Sequence, residues 1–256
     1  MEHRSDELII RIRGLRKSFD RNVVFDSLDL DITHGETLVV IGRSGCGKSV
    51  LLKHLTGLVR PDAGEILFEG EDITHFTRKK LFKMRMRFGM LFQGSALFDS
   101  MTVGENVAFP LRKHSQMSEE EIAKVVTEKL ELVGLRGVSD QYPAEMSGGM
   151  KKRIGLARAV AMNPHMVLYD EPTTGLDPIM ADVINELIRT LQRELAITSV
   201  VVTHDIKSAY HVGDRIAMLH EGKIVYSGTP EEVRRTDNPM LRQFIEGKAE
   251  GPIKPI

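Results

Sequence analysis

The sequence predicts an α/β chain with a mostly parallel sheet, a small antiparallel β layer and an inserted helical stretch. Three observations predict it. Residues 38–41 (Leu-Val-Val-Ile) form an apolar run that stops at a glycine-rich loop, after which Val50, Leu51, Leu52 and Leu55 recur at helical spacing. Apolar runs return at residues 166–169 and 198–203, separated by a helical pattern from Pro178 to about Leu195. Unbroken apolar strands alternating with helices belong to a parallel sheet covered on both faces. Between residues 94 and 162 the pattern is helical instead.

Taken in order, residues 8–13 and 28–32 alternate apolar and polar, as short strands of a flanking β layer do. Phe19 lies between them, either half-buried or offering a face for a nucleobase to stack on. Residues 60–64 (Arg-Pro-Asp-Ala-Gly) carry turn chemistry, residues 65–68 read as a strand, and residues 88–92 form another that ends at Gln93. The basic run 78–87 fits a solvated helix face or, alternatively, an anionic partner. Ser118 with Glu121 makes a capping box ahead of Ile122, Val125, Val126, Leu130 and Val133. Ser147 caps a second helix that ends near Met162 at Asn163-Pro164. Residues 215–220 and 223–227, split by Glu221-Gly222, read as a closing hairpin.

Composition narrows the class. The 256 residues are 41% hydrophobic with a net charge of −1, so the chain can bury a sizeable core and carries no global basic field for nucleic acid. The apolar runs are far too short to span a bilayer, and the opening MEHRSDELII lacks a signal-peptide core. The single cysteine, Cys46, excludes an internal disulfide and fits a reducing, cytoplasmic setting. Within its loop it is either a small tolerated side chain or a redox-sensitive thiol.

The chemistry starts at residues 42–49, where Gly, four residues and Gly-Lys-Ser form a phosphate-loop spacing. Gly42, Gly45 and Gly47 let the backbone present N–H groups to phosphate oxygens, with Arg43, Ser44 and Cys46 between them. Lys48 supplies a cation for the β- and γ-phosphates of a nucleotide, the Ser49 hydroxyl can ligate Mg²⁺, and Val50 continues the first helical turn. The helix starting near Lys48 adds its positive end. A strand-end carboxylate is the second requirement, and Asp170 supplies it as a metal ligand. Glu171, one residue on, is placed to activate a water. Ser147, Gly148 and Gly149 expose a second helix N-terminus suited to an anion.

The ordered set formed by the phosphate loop, Gln93, Met146-Ser147-Gly148-Gly149-Met150, Asp170-Glu171, Gly175-Leu176-Asp177 and His204 resembles an ABC ATPase over nearly the whole chain. Met150 and Met146 depart from the family's usual glutamine and leucine, leaving the serine and glycines intact. The resemblance implies an ABC-type P-loop NTPase fold, with a core from residues 1–93 and 163–228, a helical subdomain at 94–162 and a C-terminal helical tail at 229–256. It implies that Lys48 and Ser49 bind phosphates and Mg²⁺, and that Gln93 senses the metal and the attacking water. Glu171 would be the general base, His204 a γ-phosphate contact, Asp177 a dimer-seam residue and Phe19 an aromatic under adenine. Two half-sites on one chain imply a homodimer with ATP sandwiched between subunits.

Lacking a membrane span, such a chain would drive integral-membrane permease subunits. Leu97, Phe98, Met101, Val103 and Phe109 fit either internal packing or an apolar groove for a partner's helix. That stretch, with the Ser-Gly-Gly-Met signature and residues 241–247, resembles ATPases of lipid-asymmetry (Mla) transporters. This implies phospholipid or other hydrophobic cargo, an MCE-domain partner, a peripheral position on the bacterial inner membrane and an abbreviated C-terminal extension. A polar-solute importer subunit and a soluble ABC ATPase acting on ribosomes or DNA are the alternative readings.

Overall fold

The computed structural model describes residues 7–254. The strands and helices in chain order begin β1 (Leu8–Phe19), β2 (Asn22–Thr33), β3 (Thr37–Ile41), α1 (Lys48–Leu55), β4 (Ala63–Phe68) and β5 (Glu71–Asp72). They continue with α2 (Arg78–Arg85), β6 (Phe88–Leu91), α3 (Val103–His114), α4 (Glu119–Leu132), α5 (Gly148–Val160), β7 (Met166–Asp170) and α6 (Pro178–Leu195). The last are β8 (Thr198–Thr203), α7 (Ile206–Val212), β9 (Arg215–His220), β10 (Lys223–Gly228), α8 (Pro230–Arg235) and α9 (Pro239–Glu246). These elements fall into two compact units, one from the chain up to Phe76 with Val201 onward, the other Thr77–Val200, with β8 carrying the chain from the second into the first. No described helix is long and apolar enough to cross a membrane. The opening six residues, where the sequence shows no signal-peptide core, lie outside the described part.

In the first unit an antiparallel sheet runs in the order β2-β1-β4-β5. Its first two strands extend to twelve residues each, well beyond the short alternating stretches the sequence suggests. The reason is four register shifts along β1–β2, between Leu8/Ile10, Ile12/Leu15, Leu15/Lys17 and Lys17/Ser18. Each shift changes which face the following residues occupy, so the alternation is broken while the strand continues. β3 is buried throughout and pairs in parallel with β9, which pairs antiparallel with β10 as the closing hairpin. Asp214 accepts from the Thr37 N–H at 2.8 Å, and Arg215 bonds both Glu36 carboxylate oxygens, fixing the approach to β3. In the tail, α8 and α9 are helical and the described residues after Gly247, 248–254, are not. Gln243 holds that last segment by exchanging two hydrogen bonds with the Ile253 backbone, at 2.7 and 2.8 Å.

In the second unit β6 pairs in parallel with β7, Leu91 opposite Tyr169, which brings the residues just past both strand ends to one edge. α5 lies on this pair so closely that a Cβ on Gly89 would stand 2.2 Å from the Ala159 carbonyl oxygen. Capping boxes start α3 (Thr102 with Glu105) and α4 (Ser118 with Glu121), the latter as its spacing predicts.

Candidate active site

In the first unit the apolar strand β3 runs straight into the glycine loop. At Gly42 a Cβ would sit 2.5 Å from the Leu219 carbonyl oxygen and 2.8 Å from Cys46 Sγ, so only glycine fits the turn. Gly47 has φ +104°, in the left-handed region, and a Cβ there would stand 2.8 Å from the Val24 side chain of β2. Lys48 is buried, and its ammonium donates to the Gly42 carbonyl at 2.8 Å and the Arg43 carbonyl at 3.1 Å. The loop is thereby closed around its own lysine. α1 then begins with no side-chain cap and no acidic residue in its first turn. Backbone N–H groups at a positive helix end, with a lysine inside the curl, form a cradle for phosphate.

The rest of the loop is graded in exposure. Ser44 and Gly45 are exposed, Arg43 and Cys46 half-buried, and Ser49 and Val50 half-buried in the first turn of α1. Arg43 donates outward to the Lys254 carbonyl at 2.7 Å. Phe19 ends β1 and is 44% exposed, an open aromatic face with the Lys17 ammonium 5.2 Å from its centroid. Lys17 is itself bonded to Asp62 at 2.6 Å. His204 is exposed directly after β8, where Asp205 caps α7 through the Lys207 N–H at 2.9 Å.

In the second unit, the parallel pairing sets Gln93 beside Asp170 and Glu171, all just past or at strand ends. Glu171 holds φ +49°, a left-handed backbone that is rare for this residue type and clusters at functional sites. Its carboxylate accepts from the Thr174 hydroxyl at 3.2 Å. Ser147 caps α5 through the Met150 N–H at 3.3 Å, leaving Gly148 exposed and Gly149 buried against α6. Asp177 caps α6, accepting from the Ile179 and Met180 N–H groups, both at 3.0 Å.

Sequence reasoning missed three side chains here. Lys152 on α5 donates to the Gln93 carbonyl at 2.5 Å and the Glu171 carbonyl at 3.4 Å, and is buried. Burial pushes its pKa below the ordinary lysine value, while Asp170 and Glu171 pull the other way. Arg158, two turns further on, donates to the carbonyls of Ser95 and Ala96 at 2.7 and 2.8 Å. Asn106 is fully buried and bonds Phe98 through both its N–H and its carbonyl, at 2.8 and 3.1 Å. The one available signal was that Lys152 and Arg158 share a stripe of α5 with Gly155, which abuts Leu91 and Ser95.

The same unit carries an apolar cavity of about 610 Å³. Phe98 and Phe109 line it, their ring centroids 4.9 Å apart, as the groove alternative for this stretch would have them. Val103 is instead fully buried at the start of α3, and Leu97 and Met101 do not line the cavity. Their places are taken by Phe82 and Met86 from the basic run and by Phe88, Met90 and Phe92, the outward-alternating side chains of β6 and its end.

The groups that the sequence assigns to a divalent cation are hard oxygens, the Ser49 hydroxyl in the first unit and the Asp170 carboxylate in the second. No cluster of three or more His, Cys, Asp or Glu occurs among the described residues. That donor set suits Mg²⁺, which keeps waters and takes substrate phosphates as its other ligands.

A glycine cradle closed on its own lysine, at the end of a parallel strand, defines a P-loop nucleotide-binding protein. Residues 25–174 match the family model described as "ABC transporter", and the chain belongs to that family as an ATP-binding, ATP-hydrolysing transporter subunit. It is 45% identical over 244 residues to the "Probable ribonucleotide transport ATP-binding protein mkl" of Mycobacterium leprae, covering 95% of this chain and 70% of that one. It is 40% identical over 245 residues to the "Intermembrane phospholipid transport system ATP-binding protein MlaF" of Escherichia coli K12, covering 96% and 91%. A solved dimer of the ATP-binding cassette MJ0796 in a post-hydrolysis state, bound to ADP and Pi, superposes with a TM-score of 0.79. Its sequence is 31% identical, with 86% of this chain and 98% of that one covered.

Proposed function

We propose that the chain is the motor subunit of a transporter that moves phospholipid or another hydrophobic substrate across a bacterial envelope. It works as a homodimer on the cytoplasmic face of the inner membrane, beneath integral-membrane permease subunits and with an MCE-domain lipid-binding partner. The observation that carries this reading is 40% identity, over nearly the full length of both chains, to a phospholipid-transport ATPase. The apolar cavity between Phe82, Phe98 and Phe109 supports it as a seat for a short permease helix.

In this reading the loop from Gly42 to Val50 binds the phosphates of ATP, with Lys48 on the β- and γ-phosphates and Phe19 stacking on adenine. Ser49 and Asp170, with Gln93, hold Mg²⁺, which when bound neutralises charge on the transferred phosphoryl group. Glu171 takes a proton from the attacking water as its oxygen bonds to the γ-phosphorus and the bond to the ADP oxygen breaks. His204 contacts the γ-phosphate. Ser147, Gly148 and Gly149 of the second subunit complete the site, with Asp177 at the seam. Hydrolysis by Glu171→Gln should fall at least about 100-fold with ATP binding retained, measured by phosphate release and nucleotide titration. Hydrolysis at the unaltered rate would remove Glu171 from the role of base.

Extracting the protein from membranes in mild detergent and identifying its co-purifying chains and lipids tests the assembly. Permease and MCE-domain chains with bound phospholipid are expected. A permease with a polar-solute receptor would overturn the lipid reading and favour the second one, a polar-solute importer, to which the relative named for ribonucleotide transport points.

A further inference from the structure

We infer that Lys152 is a positioning residue for hydrolysis, tying the backbone of Gln93 and the backbone of Glu171 to the helix that starts at the signature serine. The inference rests on the reading of Gln93 and Glu171 given above and adds a residue that neither motif contains.

Lys152 stands one helical turn past Gly149 on α5, and only 4% of it is exposed. A buried ammonium needs acceptors, and the two it finds belong to the residues just past the ends of β6 and β7. The Gln93 bond, at 2.5 Å, is charge-assisted and short. The Glu171 bond, at 3.4 Å, reaches a residue whose backbone already lies in the left-handed region. Thr174 N–H also donates to that carbonyl, at 3.3 Å, so the conformation is held from two sides. Further along the same stripe, Gly155 lets α5 approach Leu91 and Ser95, and Arg158 grips the Ser95 and Ala96 carbonyls. α5 therefore sets the position of the whole turn from Gln93 to Ala96, while Lys152 also reaches the backbone carbonyl of Glu171. A small rotation of α5 would move both carbonyls together, and displacements of about 1 Å at reacting groups cost up to about 100-fold in rate.

The test uses the purified full-length chain with Lys152→Met and Lys152→Arg, read beside Glu171→Gln. Lys152→Met should lower kcat for ATP hydrolysis about 10- to 100-fold, with KM for ATP within about twofold and the melting midpoint unmoved. Lys152→Arg, which keeps the charge and donors, should recover most of the rate. A Lys152→Met kcat within about twofold of the unaltered protein overturns the inference. So does a joint loss of kcat, ATP binding and melting midpoint that arginine does not repair, because that pattern marks a purely structural lysine. If Lys152→Met does not fold, Lys152→Gln is read by the same criteria. An inactive Glu171→Gln beside an unimpaired Lys152→Met removes Lys152 only, whereas a fully active Glu171→Gln removes the reading of the base beneath it.

Discussion

Two helices in this protein begin at glycine-rich turns, and they solve the same physical problem in opposite ways. α1 starts from Gly47 in a left-handed conformation, has no side-chain cap, and is preceded by a loop wrapped on the Lys48 ammonium. α5 starts from Ser147, whose hydroxyl caps it, and its buried lysine, Lys152, turns inward to the Gln93 and Glu171 carbonyls. At the first helix the cation belongs to the anion cradle itself. At the second the buried cation belongs to the scaffold, bonded to carbonyls of two other strand ends. The difference separates a helix start whose lysine closes its own loop from one whose lysine ties the helix to other strand ends.

The strongest way to break the comparison is at the cations. Lys48→Ala should weaken ATP binding about 100-fold or more, since it removes both the phosphate's cation and the bonds that close the loop, and titration with a fluorescent nucleotide reads it directly. If binding survives, charge is not what distinguishes α1. The glycines come next. Gly42→Ala drives a methyl into the Leu219 backbone carbonyl, which cannot yield, and should cost about 1–3 kcal/mol by chemical denaturation. Gly149→Ala meets the tip of Met180, which can turn aside, and alanine favours the helix, so a change under about 1 kcal/mol is expected. Equal losses at the two sites would show that both turns are sterically closed.

The smallest effect is one of pH and belongs to α1 alone. His54 is fully buried, its Nδ1–H donating to the Val50 carbonyl at 2.8 Å with its ring edge-on to Phe25. Burial holds its pKa below the ordinary histidine value. The unfolded chain therefore takes up a proton before the folded one does. The stability contributed by neutral His54 is present above about pH 6.5 and is lost as pH falls through the lower folded value. The melting midpoint should drop between about pH 7.5 and pH 5.5, and drop less in His54→Gln, by differential scanning fluorimetry.

What could be read from sequence was what is local along the chain. The phosphate loop, the Ser118–Glu121 capping box and the Ser147 cap each depend on residues within a few positions of one another, and each appears where its spacing places it. The full lengths of β1 and β2 were not legible, because the bulges between Ile12 and Ser18 erase the alternation that marks a strand. Lys152 was not legible either, since its acceptors lie 59 and 19 residues away. The cavity was half legible. Phe98 and Phe109 belong to the stretch that fits either internal packing or a groove, whereas Phe82 comes from the basic run and Phe88 from the strand that follows it. Asn106, which fixes Phe98, sits on a helix face and gives no sign in the sequence that its amide faces a loop.

The left-handed backbone of Glu171 has a consequence for how this protein trades durability against work. A non-glycine residue at φ +49° costs free energy that glycine would not, on the order of 1 kcal/mol. Glu171→Gly should therefore raise the melting midpoint by a few degrees while abolishing hydrolysis. Glycine would serve resilience better at this position, so the base proposed for hydrolysis is held at a cost to stability.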